Sequence, residues 1–124
     1  MGPKLQQMAQ HNETGTIGEK LAATWLVKEG YTIKQVNWRY KHLEVDIIAF
    51  KGDTLHFIEV KTRHSTKFGY PEESINKAKM KNLKDAAEQY QILNSGIKWI
   101  QFDVLAILFK EGKVDYWFNK DVYW

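Results

Sequence analysis

The stretch EVDIIAFKGDTLHFIEVKTR, residues 44–63, constrains the fold more than any other part of the chain. It reads as two apolar strands around Gly52-Asp53, a favourable two-residue hairpin turn. Yet Glu44, Asp46, Glu59 and Lys61 lie inside those strands, and charged side chains are rarely buried unless paired or bound to a metal. With the two-residue loop, Asp46 falls opposite Glu59 and Glu44 opposite Lys61. Side chains alternate along a strand, so these four share one face at the open end, beyond Ile48, Phe50, Leu55 and Phe57. The other face carries Val45, Ile47, Ala49, Ile58 and Val60, with His56 and Thr62. A loop one residue longer would scatter the cluster.

Two carboxylates directly opposite each other repel, and without compensation one takes up a proton near neutral pH. A divalent cation between Asp46 and Glu59 removes that conflict, and an all-oxygen ligand set suits Mg²⁺ or Mn²⁺. Lys61, two residues past Glu59 on the same face, can then orient a water or offset developing negative charge. The alternative is a salt-bridge cluster, with Glu44 paired to Lys61 and Asp46 hydrogen-bonded; against it, one lysine does not offset three carboxylates.

The remaining segments surround this hairpin. Residues 16–29 read as a helix with Ile17, Leu21, Ala22, Trp25 and Leu26 on its apolar face, ended by Gly30. A strand follows at 31–38, then the hairpin strands at 44–50 and 55–62. Pro71, Glu72 and Glu73 suit the start of a second helix at about 72–94, with Ile75, Met80, Leu83, Ala87 and Tyr90 facing inward. Residues 98–109 are apolar on both faces, as a covered strand is, and 113–118 form the last strand. The order α-β-β-β-α-β-β predicts an α/β fold, a mixed sheet with flanking helices. Its right-handed crossover makes the third and fourth strands parallel.

A chain of 124 residues is expected to form one domain, here residues 13–124 behind a flexible polar segment at 1–12. It has no cysteine and no apolar run long enough to span a membrane, and its start does not read as a secretory signal, so the expected location is cytoplasmic, with no membrane partner. The net charge of +3 permits a nucleic-acid partner without requiring one. Its distribution says more: residues 60–85 hold seven lysines and arginines against three acids.

Asp46 followed on the next strand by Glu59-Val60-Lys61 resembles the signature of the PD-(D/E)XK nuclease superfamily. The ordered set GEKLAATWL, NWR, EVDIIA, FIEVKTR, FGYPEESI and FDV, from about Gly18 to Val104, resembles the YraN-like family of small bacterial proteins. That resemblance implies a restriction-endonuclease-like fold related to Holliday-junction resolvases, and a metal-dependent nuclease site. Carried over by motif, Asp46 and Glu59 become metal ligands, Lys61 the catalytic lysine and Glu19 a further ligand, direct or through water. Leu43 stands where the family has glycine and Val45 where the superfamily has its nominal proline; neither change touches the ligand set.

Other residues admit two readings each. Thr16 and Glu19 have the spacing of a capping box, which gives Glu19 a purely structural role. Lys79, with Lys77, Lys81 and Lys84, forms either a phosphate-contacting surface or a solvated basic face. Arg63 can meet a phosphate or pair with Glu44, and Lys67 lies in a loop at 64–71 that could form a lip over substrate. Arg39 belongs to an aromatic and basic run, residues 37–42, of the kind that stacks bases and holds phosphates, although Trp38 suits a core better. Asp103 is either a supporting residue of the site or a satisfied core carboxylate. The histidines lack zinc-ligand spacing, and there is no phosphate loop or Ser or Cys nucleophile motif.

The expected function is Mg²⁺- or Mn²⁺-dependent hydrolysis of DNA phosphodiesters, at branched structures for preference. The rival expectation is a catalytically silent nucleic-acid-binding or assembly module. Tyr116, Trp117, Tyr123 and Trp124 offer an aromatic surface for a homodimer.

Overall fold

The computed structural model of the chain describes residues 3–64 and 75–122, with side chains from Thr16 onward. Five strands form one sheet in chain order: β1 (Thr32–Tyr40), β2 (Leu43–Lys51), β3 (Thr54–Arg63), β4 (Trp99–Lys110) and β5 (Lys113–Asn119). All neighbours are antiparallel except β3 and β4, which run parallel as the crossover requires. Helices α1 (Pro3–Lys28) and α2 (Lys77–Leu93) cover opposite faces. This is the mixed α/β architecture and the element order of the restriction-endonuclease-like expectation.

Each face has its own core. Ala22 and Leu26 of α1 pack on Ile47, Ala49, Ile58, Leu105 and Ile107. Met80, Leu83, Ala87 and Tyr90 of α2 pack on Ile48, Leu55, Phe57, Phe102 and Val104. β4 is buried from Phe102 to Leu108 because both its faces are covered, which explains a run that is apolar except for Asp103. Fully buried side chains of this size contribute about 1.5–3 kcal/mol each. Among the described residues, no helix is long and apolar enough to cross a membrane.

Both helix starts differ from the sequence expectation. α1 begins at Pro3, so most of the segment set apart as a flexible lead-in is helical, and Thr16 lies inside the helix and cannot cap it. Pro3 suits a first helical position, and Leu5, Gln6, Gln7, Met8 and Ala9 are good helix formers, so nothing stops the helix at Thr16. Ile17, expected to face inward, is 50% exposed.

α2 begins at Lys77, where the Asn76 side chain accepts a hydrogen bond from the Lys79 amide at 2.8 Å. Ile75, just outside this cap, is buried with Met80 in one cluster, which fixes how the chain enters the helix. Pro71, Glu72 and Glu73, expected to start α2, lie outside the described residues.

Two glycines set the frame of the hairpin. Gly52 takes φ +62° in the two-residue turn between β2 and β3, as a type II′ turn demands. Gly18 lets α1 lie directly on β3, since a Cβ there would stand 2.6 Å from the Thr62 hydroxyl. The next residue, Glu19, accepts a hydrogen bond from the side chain of Asn37 on β1.

Candidate functional site

The hairpin keeps the expected register near its turn, with Phe50 opposite Leu55, Ile48 opposite Phe57 and Ile47 opposite Ile58. There the ladder ends. Asp46 and Glu59 do not form the cross-strand pair expected from the sequence, nor do Glu44 and Lys61. Instead the Val60 amide donates to Oδ2 of Asp46 at 2.8 Å, so a carboxylate takes a main-chain donor of the neighbouring strand.

The alternation of β2 breaks at the same place. Val45, expected beside Ile47, packs with Leu43 and Ile48 on the α2 side, while Ile47 faces α1. Two residues, Asp46 and Ile47, therefore separate neighbours on one face, the local signature of a bulge. On β1, between the pairs Trp38–Val45 and Val36–Ile47, Asn37 leaves the extended region at φ +55°. Mutual repulsion of the carboxylates favours this parting of the strands.

The opened mouth is a cleft of about 190 Å³ lined by His42, Glu44, Asp46, Glu59, Lys79, Asn82 and Leu83. Glu59 is only 9% exposed, and the Lys79 ammonium donates directly to its Oε1. Asp46 is pushed up to about 7, first by burial and then by the Glu59 charge. Glu19 adds to that push, while the Val60 amide and Lys79 oppose it. Lys79 is itself raised, chiefly by its hydrogen bond to Glu59, with the charges of Asp46 and Glu44 helping.

Thus the cation at the heart of the cluster comes from α2, a role the sequence reading had not given Lys79. Its signal was its place in the first turn of the helix that follows β3 in the chain, legible only once Asn76 is seen as the cap.

Lys61 lies two residues beyond Glu59, half-buried and beside Ala106 of β4, outside the set that lines the cleft. Glu19, freed from any capping role, accepts a 2.6 Å hydrogen bond from the Asn37 side chain. Asn37 was missed as a positioning residue, although its left-handed backbone fits the tolerance of asparagine for that region. Among the described residues, no three carboxylate or histidine groups gather around one point. Two carboxylates crowded into one cleft nevertheless fit Mg²⁺ or Mn²⁺, which bind through one or two protein oxygens and keep several waters.

The flanking residues divide clearly. Arg39 is exposed and pairs with Glu44 at 3.5 Å across β1 and β2. Lys77 is exposed at the start of α2, and exposed Arg63 donates to the Thr62 carbonyl at 3.1 Å. Lys67 lies outside the described residues, as do Tyr123 and Trp124. Trp38 is core, edge-on to Tyr90 at 5.5 Å. Tyr116 is not a free surface aromatic, being half-buried and stacked on Trp25 at 5.4 Å; Trp117 is 39% exposed.

Asp103 is the satisfied core carboxylate of the two alternatives. It is fully buried and accepts from His56 Nδ1 at 2.6 Å, and from Gln101 and the Asp121 amide at 2.9 Å each.

Comparison with known proteins agrees with the ordered motifs. Residues 18–107 match the model of a family described as Uncharacterised protein family UPF0102. A UPF0102 protein of Flavobacterium psychrophilum is 42% identical over 106 residues, covering 86% of this chain and 88% of the relative. One of Bacteroides thetaiotaomicron is 40% identical over 105 residues, 85% of this chain and 87% of the relative. One of Syntrophomonas wolfei is 44% identical over 106 residues, 83% of this chain and 90% of the relative.

Proposed function

The chain belongs to the UPF0102 family, and from that premise, joined to the geometry of the cleft, we propose that it is a metal-dependent nuclease that hydrolyses DNA phosphodiesters, at branched structures for preference. The observation that carries the reading is the gathering of Asp46 and Glu59, from two strands that part to admit them, in one cleft whose carboxylates exceed its cations. Asp46 and Glu59 would hold Mg²⁺ or Mn²⁺, with Glu19 reaching the ion through water. Held there, the ion would supply positive charge beside the phosphate and lower the pKa of water next to it.

Hydrolysis forms a P–O bond from a water oxygen and breaks the P–O bond to the leaving sugar oxygen, which takes up a proton as the water gives one up. Lys61, on the strand that carries Glu59, offsets the charge that develops on the phosphoryl oxygens. Arg39, Arg63, Lys77 and Lys67 hold flanking phosphates, giving a salt-dependent grip that does not read sequence. A second copy, meeting through the open β5 edge and Trp117, would extend that grip along a duplex.

One observation favours the silent-module reading: the cleft brings its own cation, because Lys79 already neutralises Glu59. The test is cleavage of duplex, flapped and four-way DNAs in Mn²⁺ by wild type, Asp46→Asn and Lys61→Ala. The nuclease reading expects cleavage that falls by about 10²–10³-fold or more in both variants. DNA binding without metal-dependent cleavage by the wild type sinks it in favour of the module.

A further inference from the structure

We propose that Lys79 is a placeholder cation, neutralising Glu59 in the metal-free cleft, displaced when a divalent ion binds Asp46 and Glu59, and then free to take a phosphate of the nucleic acid. This deepens the metal-dependent reading above and rests on it.

The geometry supports exchange over a permanent bridge. The Glu59 side chain is 11% exposed and the Lys79 side chain 54%, so the ammonium closes over the carboxylate from the solvent side. Only the base of Lys79 is fixed: its amide is held by the Asn76 cap at 2.8 Å in the first turn of α2. Its four-carbon stem is free to swing, and moving a half-solvated ammonium a few ångströms outward leaves no bare charge in the core.

The charges also favour exchange. Lys79 is the ammonium that lines the cleft beside Glu44, Asp46 and Glu59, while Glu44 also pairs with the exposed Arg39 on the rim. A divalent ion offers twice the charge to the same carboxylates, and it repels an ammonium held on the same group. Both cations therefore compete for Glu59.

Displacement has a consequence for substrate. In the metal-free cleft the Lys79 ammonium is held by Glu59 beside two further carboxylates, a poor setting for a phosphodiester. Metal reverses that balance and releases Lys79 at the cleft rim, so metal binding and nucleic-acid binding reinforce each other.

The experiment is calorimetric titration of Mn²⁺ into wild type, Lys79→Met and Lys79→Gln, with thermal unfolding of each in chelator and in saturating Mn²⁺. Removing the competitor is expected to tighten Mn²⁺ binding by about tenfold or more. In chelator the variants should melt below wild type, because Glu59 has lost its partner. In saturating Mn²⁺ that gap should close, because the metal has taken the place of the lysine. Equal or weaker Mn²⁺ binding by the variants, or the same melting gap in both media, makes Lys79 a permanent structural partner and overturns the inference while leaving the metal site standing. No Mn²⁺ binding by any of the proteins overturns the metal reading itself and this inference with it.

Discussion

Two aspartates on the strands that flank β3, Asp46 on β2 and Asp103 on β4, meet opposite fates. Asp103, on the α1 side of β4, is wholly buried, yet His56, Gln101 and the Asp121 amide all donate to it. Asp46, at the mouth of the β2–β3 hairpin, is only partly buried, receives the Val60 amide, and faces the charges of Glu59 and Glu19. Burial is greater at Asp103, but the electrostatic conflict is at Asp46. A buried carboxylate is thus not evidence of a site. A carboxylate crowded by others, beside a cleft open to solvent, is.

The contrast can be broken first at Asp103. Replacing it with alanine leaves the His56 imidazole, the Gln101 amide and the Asp121 amide without their acceptor in the interior. Asp103→Ala should lose about 3–5 kcal/mol of stability in chemical denaturation. A loss under about 1 kcal/mol would mean that the network is replaceable and that the two aspartates differ less than argued.

At Asp46 the sign reverses. Its folded-state value, about 7, lies above the ordinary 3.8, so the folded protein binds the proton more tightly than the unfolded chain does. The stability this confers is complete below about pH 4 and is lost as pH rises through about 7. In chelator the wild type should lose on the order of 4 kcal/mol relative to Asp46→Asn between those limits. The variant should be the more stable protein at pH 8. Melting curves of both proteins across that range measure the difference directly, and parallel curves would remove Asp46 from its privileged place. Saturating Mn²⁺ should flatten the wild-type dependence, because the ion favours the ionised carboxylate.

Much of the sheet was legible in the sequence because its signals are local. Gly52-Asp53 sets the turn and hence the register of Ile47 to Phe50, and the apolar run of β4 marks a covered strand. The mouth of the hairpin was less legible because tertiary contacts decide it. Strict alternation puts Val45 with Ile47 and pairs Asp46 with Glu59, but the left-handed Asn37, the end of the ladder and the Val60 bond to Asp46 part the strands. Glu19 illustrates the same limit. Its spacing from Thr16 fits a cap, yet the helix continues back to Pro3 and the carboxylate turns to Asn37. The carboxylates of the site could be read from a chain motif. Their cation could not, because Lys79 reaches Glu59 from 20 residues away across a helix start that only the structure reveals.

Arg39 separates charge that serves stability from charge that serves binding. Its pair with Glu44 spans 3.5 Å between side chains 71% and 48% exposed, a setting in which solvent screens most of the attraction. Arg39→Ala should therefore change stability by less than about 0.5 kcal/mol. Glu44 lines the cleft, so the same change frees a carboxylate there while removing from its rim a guanidinium proposed to hold phosphate. DNA affinity should fall, and the slope of log affinity against log salt should become shallower by about one. Fluorescence anisotropy over a salt series in the presence of Mn²⁺ measures both. An unchanged slope would take Arg39 off the DNA path and confine binding to the α2 side of the cleft, while a large stability loss would show that even this exposed pair belongs with Asp103 and not with Asp46.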